Sequence, residues 1–258
     1  MYRNTFLSVM FLACCFNGSL CAQSDAQIYE RTCDAKTYPF SDPSPVATPN
    51  NSYYPYFRFD GFSMQAQEKQ WKMVVLENDY VKLTVTPEIG GKIWGAIDKV
   101  NNKEFVYTNG VVKFRDVAMR GPWTSGGIEF NFGIIGHAPT CSTPIDYLTK
   151  KNVDGSVSCH IFSYEWITRT VWNVEINLPK DKAYFTTHTT WFNQSSIDQP
   201  YYQWMNAGYA TKTGTRFYYP GTYSIGHSGD LHPYPIDEEG RDVSWYDNNN
   251  FGASKSLQ

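Results

Sequence analysis

The sequence lacks the signatures of several large protein classes. Lysine and arginine form no cluster in its 258 residues, and the formal net charge is −3, so no basic surface is indicated for a phosphate backbone. No phosphate-binding loop, dinucleotide fingerprint or serine-hydrolase G-x-S-x-G elbow is present. We therefore predict no nucleic-acid partner and no cofactor.

Long hydrophobic runs are also missing. The apolar run over residues 5–16 follows Arg3, is shorter than a bilayer span, and is followed by the small residues of "NGSLCAQ". This pattern predicts a signal peptide over residues 1–22, cleaved after Ala22, and a periplasmic or secreted location. Lipid attachment at Cys14 or Cys15 is the alternative, and no membrane span is predicted.

Cysteine is scarce beyond that segment. Only Cys33, Cys141 and Cys159 remain after cleavage, which allows one disulfide at most and excludes a cysteine-stapled scaffold. His227 and His232 are spaced five residues apart, but no third ligand is evident near them. We therefore predict no metal site.

Aromatic residues, in contrast, are abundant. They make up 17% of the chain, with 8 Trp, 19 Tyr and 16 Phe. Such content is typical of β-structure, and Tyr and Trp also suit half-hydrated surfaces on which sugar rings stack. The composition favours a folded β-protein and is compatible with a carbohydrate ligand.

Short alternating segments dominate the chain after residue 71. Val81, Leu83 and Val85 share one face of "DYVKLTVTP", and the pattern predicts that Ile93 and Ile97 repeat this in "GGKIWGAID". "KEFVYT" follows a hairpin turn at "KVNN". Further strands are predicted in "GSVSCHIFSYEW", "TRTVWNVEINL", "KAYFTTHTTWF", "PYYQWMNAGYAT" and "TRFYYPG". Only "MQAQEKQWKMVVLEN" has partly helical character.

Many short strands without intervening helices predict an all-β sandwich or barrel. The polar, proline-marked residues 23–70 are interpreted as an extended lead-in with one short strand at Tyr56–Phe59, and residues 71–258 as the β-domain. No closing strand follows "SWYDNNNFGASKSLQ". We therefore expect an incomplete sandwich, with further domains in a longer natural protein.

The stretch "RGPWTSGGIEFNFGIIGHAP", residues 120–139, contains the candidate site. Glu129 and Asn131 alternate with apolar residues, so both point to one side of a strand. The two preceding glycines permit a bulge or a close backbone approach. His137 is suited to general acid catalysis near neutral pH. The alternative is a half-solvated strand with Glu129 in water.

Glycoside cleavage generally uses two carboxylates on either side of a cleft. Glu165 in "FSYEW" and Asp146 in "TPIDY" are candidates for the second one. The sequence does not fix their distance from Glu129.

The segments "ENDYVKLTVTPEIGGKIWGAIDK" and "RGPWTSGGIEFNFGIIGHAP" together resemble an uncharacterised bacterial domain family of the galactose-mutarotase-like (aldose epimerase-like) superfamily. "TPIDY", "YQWMNAGYAT" and "VSWYDNNNFGAS" continue the match, which covers residues 75–256. The resemblance implies an antiparallel β-supersandwich that binds a mono- or oligosaccharide in its concave groove.

The resemblance also implies roles for individual residues. Glu129 would be the acid, the base or a hydroxyl-binding carboxylate, and His137 its partner. The implied substrate-binding residues are Arg120, Trp123, Asn131, Trp204 and Asn206. In epimerase relatives the glutamate base comes late in the chain, beyond the end of this sequence. We therefore expect glycoside cleavage by Glu129 with His137, the alternatives being a non-catalytic carbohydrate-binding domain and an epimerase-like protein.

Overall fold

The computed structural model describes residues 24–40, 61–116, 122–132, 138–166, 168–200, 202–226 and 228–249. These residues form three short 3-10 turns, at Pro87–Ile89, Pro139–Ser142 and Tyr246–Asn248, and sixteen strands. The strands are β1 (Gln27–Tyr38), β2 (Gln67–Glu77), β3 (Val81–Thr86), β4 (Lys92–Asp98), β5 (Lys103–Val106), β6 (Val112–Lys113), β7 (Arg115–Asp116), β8 (Pro122–Trp123), β9 (Ile128–Phe132), β10 (Asp146–Lys151), β11 (Val157–Glu165), β12 (Thr170–Leu178), β13 (Thr186–Asn193), β14 (Gln203–Ala207), β15 (Tyr223–Ile225) and β16 (Leu231–Pro233).

The prediction of an all-β fold is confirmed. A large sheet has the strand order β14-β9-β4-β3-β2-β1-β6, and β5 also pairs with β4. A smaller antiparallel sheet has the order β10-β11-β12-β13, and β7–β8 and β15–β16 form separate two-stranded ribbons. Among the described residues, no helix is long and apolar enough to cross a membrane.

The two main sheets pack face to face around one core. Alternation along the strands turns Leu83, Ile93 and Phe130 of the large sheet toward Ile161 and Val174 of the small one. In addition, Phe132 and Trp172 stack across the interface, with ring centroids 4.6 Å apart and planes at 12°. We call this side of the large sheet its inner face and the opposite side its outer face.

The outer face carries a second apolar cluster, which includes Trp71, Met73 and Trp94 of the large sheet with Val112 and Phe114. These side chains are buried although the small sheet packs on the other side. The outer face is therefore partly covered by the chain that follows β5.

One predicted face assignment is wrong. Ile93 lies in the core, but Ile97 lines a cavity on the outer face. The pairing of β3 with β4 shifts between Thr84 and Val85, so that Thr84 pairs with Gly95 and Val85 with Ile93. This bulge places one extra residue, Trp94, in β4 and reverses the alternation beyond it.

The structure also corrects three segment assignments. Residues 27–38, assigned to the lead-in, form β1, which pairs with β2 from Gln27 to Thr37 in the large sheet. The segment with helical character forms β2, because antiparallel pairing on both sides outweighs the helix propensity of its Gln, Glu and Lys residues. "TRFYYPG" contributes one isolated bridge, Arg216 to Trp245, rather than a strand. The predicted signal peptide and Tyr56–Phe59 lie outside the described residues.

Candidate functional site

Strand β9 is buried on both of its faces. Ile128, Phe130 and Phe132 point to the inner face, and Glu129 and Asn131 point to the outer one. The predicted same-side placement of Glu129 and Asn131 is confirmed. The alternative of a solvated Glu129 is wrong, because its exposed fraction is 2% and that of Asn131 is 0%.

The carboxylate of Glu129 is held by amide groups. Asn131 donates from Nδ2 to Glu129 Oε1 at 2.9 Å, and Asn131 Oδ1 accepts the backbone N–H of Ala138 at 2.7 Å. Asn206, which pairs with Glu129 across β9 and β14, donates to the same Oε1 at 3.5 Å. The structure thus brings together three residues that the sequence analysis nominated.

A buried lysine completes this cluster. Lys92 is 1% exposed, and its ammonium donates to the carbonyl oxygen of Thr124 and, at 3.1 Å, to Thr124 Oγ1. Burial lowers the pKa of Lys92, and the negative charge of Glu129 opposes that shift. The cluster therefore contains two opposite charges that are both withdrawn from water.

The thiol of Cys141 lies against the same carboxylate. Burial raises the pKa of Cys141 well above its ordinary value, and the charge of Glu129 raises it further, whereas Lys92 lowers it. The neutral thiol therefore donates a hydrogen bond to Glu129. Together, Lys92, Glu129, Asn131, Cys141 and Asn206 form what we call the Glu129 cluster.

The double glycine before β9 is required by this packing. Gly126 and Gly127 have φ of +72° and +65°, a region that side chains disfavour. A Cβ on Gly127 would lie 2.3 Å from the carbonyl oxygen of Ile93 and 3.0 Å from Cε of Lys92. The expected close backbone approach is confirmed, and it is the approach that encloses Lys92.

Two nominated tryptophans lie beside the cluster. Trp204 pairs with Asn131 in the β9–β14 register, and Trp123 directly precedes Thr124; both indoles are half-buried. Arg120 and His137 lie outside the described residues, so their predicted roles stay predictions.

Neither candidate for a second carboxylate lies across a cleft from Glu129. Glu165 and Asp146 belong to the small sheet, which packs on the inner face of the large sheet. The buried Glu165 carboxylate accepts the backbone N–H of Thr168 at 2.6 Å and its hydroxyl at 2.5 Å, so it stabilises the turn into β12. Asp146 is exposed at the start of β10.

The sequence analysis missed Lys92, Thr124 and Cys141. For Lys92 a signal was available, since it follows two glycines and its position in β4 alternates with that of Ile93. Lysine is almost never fully buried unless it is paired, so the sequence pattern alone did not predict a buried Lys92 in the site. The described residues contain no group of three or more His, Cys, Asp or Glu side chains arranged to hold a metal ion.

The arrangement suits recognition of a polar ligand. Amides and a carboxylate fixed on a rigid sheet can orient hydroxyl groups, and half-buried indoles offer flat apolar surfaces beside them. The same carboxylate can exchange a proton if a ligand reaches it.

Comparison with known proteins identifies the family. Residues 48–258 match the family described as "Domain of unknown function (DUF5107)". The chain belongs to this family. The match includes every strand from β2 onward, and so all residues of the Glu129 cluster lie within the DUF5107 region.

A solved structure resembles this DUF5107 chain. It is a TPR-domain containing protein from Parabacteroides distasonis ATCC 8503, with a TM-score of 0.70 and 26% sequence identity. The match covers 78% of this chain and 35% of that protein, so the chain spans about a third of its relative's length.

Proposed function

We propose that this domain is a galactose-mutarotase-like β-supersandwich that binds a carbohydrate on the outer face of its large sheet, at the Glu129 cluster. Trp123 and Trp204 serve as stacking surfaces, and Asn206 contacts ligand hydroxyls, because it is half-buried and held from behind by Glu129. His137 and Arg120 belong to the same site by their predicted roles. The protein is exported, as the pattern of residues 1–22 predicts.

The burial of Lys92 and Glu129 supports this proposal most directly. Removing charged groups from water costs several kcal/mol per ion unless they are well paired. A buried lysine with a lowered pKa beside a buried carboxylate, flanked by two half-buried tryptophans, is typical of functional sites.

Glycoside cleavage is the second candidate, and the position of Glu129 favours it. A carboxylate that contacts a thiol and two amides, with an ammonium nearby, resembles the environments in which enzymes tune an acid or base. In this proposal Glu129 acts with His137 as its partner. None of the residues that contact the Glu129 carboxylate in the structure supplies a second carboxylate, so His137 carries the other proton-transfer step.

A thermal unfolding experiment with a panel of neutral and acidic mono- and oligosaccharides tests the binding proposal. A ligand at 100 times its Kd stabilises the fold by about 2.7 kcal/mol, which shifts the melting temperature measurably. Product analysis by reducing-end assay on the same panel separates binding from cleavage.

Two variants make the test specific. Glu129→Gln preserves the shape of the side chain and removes its charge, so we expect it to weaken the sugar-dependent shift and to abolish any turnover. Glu68→Gln removes an exposed carboxylate on β2 and should change neither. A sugar-dependent shift of equal size in all three proteins would contradict the assignment of the site to Glu129.

A further inference from the structure

The cavity on the outer face that Ile97 lines contains no residue of the Glu129 cluster in its lining. β5 pairs with β4 near one end of the large sheet, and β6 pairs with β1 at the other end. Residues 107–111, which join them, must therefore cross the outer face above β3 and β2. We call these residues the crossover.

Hydrogen bonds to residues in or next to β4, β9 and β14 hold the crossover in place. Tyr107 donates its backbone N–H to the carbonyl oxygen of Gly208 at 2.9 Å. Trp94 Nε1 donates to the carbonyl oxygen of Asn109 at 3.2 Å, and Asn109 Nδ2 donates to Ser125 Oγ at 2.8 Å. Beneath it, Gly95 lets Thr108 approach, since a Cβ at Gly95 would overlap Thr108 Oγ1. The space enclosed is therefore built into the fold.

This space is a cavity of about 370 Å³, within the size range of sites for small ligands. Its floor includes Met73, Thr84 and Trp94, and the crossover contributes Thr108. The hydroxyl groups of Thr84 and Thr108 form no hydrogen bond with another described residue. Two free hydroxyls above an apolar floor suit a ligand that has both hydroxyl groups and C–H surface.

Two cationic side chains, Arg31 and Lys82, and two acidic ones, Asp34 and Glu104, line the cavity. Asp34 accepts a hydrogen bond from Gln70 Nε2 at 3.3 Å. Arg31 lines the cavity and makes no hydrogen bond or ion pair with any described residue. Lys82 is already paired with Glu77 at 3.5 Å. Glu104, the acidic side chain from β5, accepts the backbone N–H of Thr108 at 3.5 Å. Arg31 is therefore the cation at this cavity that is available for a ligand.

The chemistry of Arg31 defines that ligand further. A guanidinium presents parallel N–H donors that match the two oxygens of a carboxylate. We propose that the cavity binds a uronic-acid residue, with its carboxylate on Arg31, its hydroxyls on Thr84, Thr108 and Glu104, and its ring C–H groups against Met73 and Trp94. The identification of the ligand as a sugar rests on the proposed carbohydrate function; the cavity itself is separate from Glu129.

Isothermal titration of the purified chain with D-glucuronate and D-galacturonate tests this inference, with D-glucose and D-galactose as uncharged counterparts and acetate as a plain carboxylate. We expect a uronate to bind at least about tenfold more tightly than its neutral counterpart and than acetate. Arg31→Gln should remove that preference, and Thr84→Val should weaken uronate binding several-fold.

Two controls locate the effect. Lys36→Gln removes one positive charge from β1, the strand that contains Arg31. Lys36 follows Ala35, which lines the cavity, so its side chain points to the other side of the strand and the Kd for uronate should not change. Glu129→Gln should also leave it unchanged, whereas it weakens ligands of the Glu129 cluster. Uronate binding that depends on Arg31 and not on Glu129 supports the inference even if no ligand is found for Glu129.

Three results would overturn it: uronate binding that Arg31→Gln does not alter, acetate binding as tight as uronate binding, or binding of neutral sugars alone. The last result would leave the proposed function of the Glu129 cluster intact.

Discussion

Asn131 Nδ2 donates a hydrogen bond of 2.9 Å to Glu129 Oε1, two residues earlier on the same strand. Asn131 Oδ1 simultaneously accepts from the backbone of Ala138, so the amide cannot turn over without losing both bonds. The Glu129 carboxylate is therefore fixed in one orientation by a side chain that is itself fully buried.

Replacing Asn131 by Asp should be severely destabilising. The substitution places a second carboxylate against Glu129 and removes the hydrogen bond that Asn131 Nδ2 donates to it. Of the two hydrogen bonds that the Asn131 amide makes, the new carboxylate can keep only the one that it accepts from the backbone N–H of Ala138. We expect a loss of about 2–4 kcal/mol in the free energy of unfolding at pH 7, measured by urea denaturation. Because the two carboxylates raise each other's pKa in the folded state, part of this loss should be recovered as the pH falls toward 4.

Asn101→Asp is the matched control. Asn101 Nδ2 donates to Asp98 Oδ2 at 2.6 Å, but this pair is exposed on a hairpin. Water screens the new repulsion there, so the free energy of unfolding should change by less than about 1 kcal/mol. Equal losses for the two variants would show that burial does not determine the cost at Asn131.

Gly127→Ala tests the close approach that encloses Lys92. The added Cβ would combine a disfavoured φ of +65° with a contact of 2.3 Å to the carbonyl oxygen of Ile93. We expect a loss of about 2–4 kcal/mol. Gly214→Ala has a similar φ of +82° with no atom within 4 Å of the new Cβ, so it should show the conformational cost alone, about 1 kcal/mol. Similar losses at both sites would contradict the packing role of Gly127.

The parts of the fold that could be predicted are those in which one face of a strand is apolar. β12 alternates strictly and β3 alternates up to Val85, and both lie where their patterns placed them. β1 was missed because its side chains are mostly exposed or half-buried on both faces, so no apolar period marks it. Its position is set by backbone pairing with β2, which composition does not encode.

The candidate site was predictable only in part, for related reasons. Alternation placed Glu129 and Asn131 on one side, but nothing local indicated that this side is buried. The bulge at Trp94 reversed the face of Ile97, and a one-residue shift of this kind has no clear sequence signal. Cys141 contacts Glu129 although the two residues belong to different segments of the fold, and no local pattern predicts such a contact. Gly90 is the one indirect sign, because a Cβ at this position would lie 2.5 Å from the Cys141 backbone.

The three thiols of the folded domain should differ strongly in reactivity. Burial raises the pKa of Cys159 to about 12 and raises that of Cys141 well above its ordinary value, whereas Cys33 is half-buried near the outer cavity. A disulfide-exchange reagent at pH 8 should modify Cys33 rapidly and the other two only after unfolding. In a chain with Cys14, Cys15 and Cys21 replaced by Ser, the number of thiols modified refers to Cys33, Cys141 and Cys159 alone. In that chain, Cys33→Ser should remove the fast phase of thiol modification. Rapid modification of two or three thiols in the native protein would contradict the burial of Cys141 or Cys159.

Lys92→Met should change how stability depends on pH. Because burial lowers the pKa of Lys92 in the folded state, the unfolded chain binds more protons at this group than the folded chain does. The contribution of Lys92 to stability therefore rises as the pH increases from its lowered folded value toward the ordinary lysine value of 10.5, and it levels off above that value.

The methionine variant lacks this contribution. At pH 7 it should lose about 1–3 kcal/mol, because the Thr124 carbonyl loses its donor and Glu129 loses its neighbouring cation. The stability difference between wild type and variant should then widen from pH 8 to pH 10. Urea unfolding at each pH, with reductant present, measures that difference directly. Lys150→Met, an exposed lysine on β10, should follow the wild-type curve throughout. If the curves for wild type and Lys92→Met stay parallel, Lys92 has no lowered pKa, and the buried charge that supports the proposed site is absent.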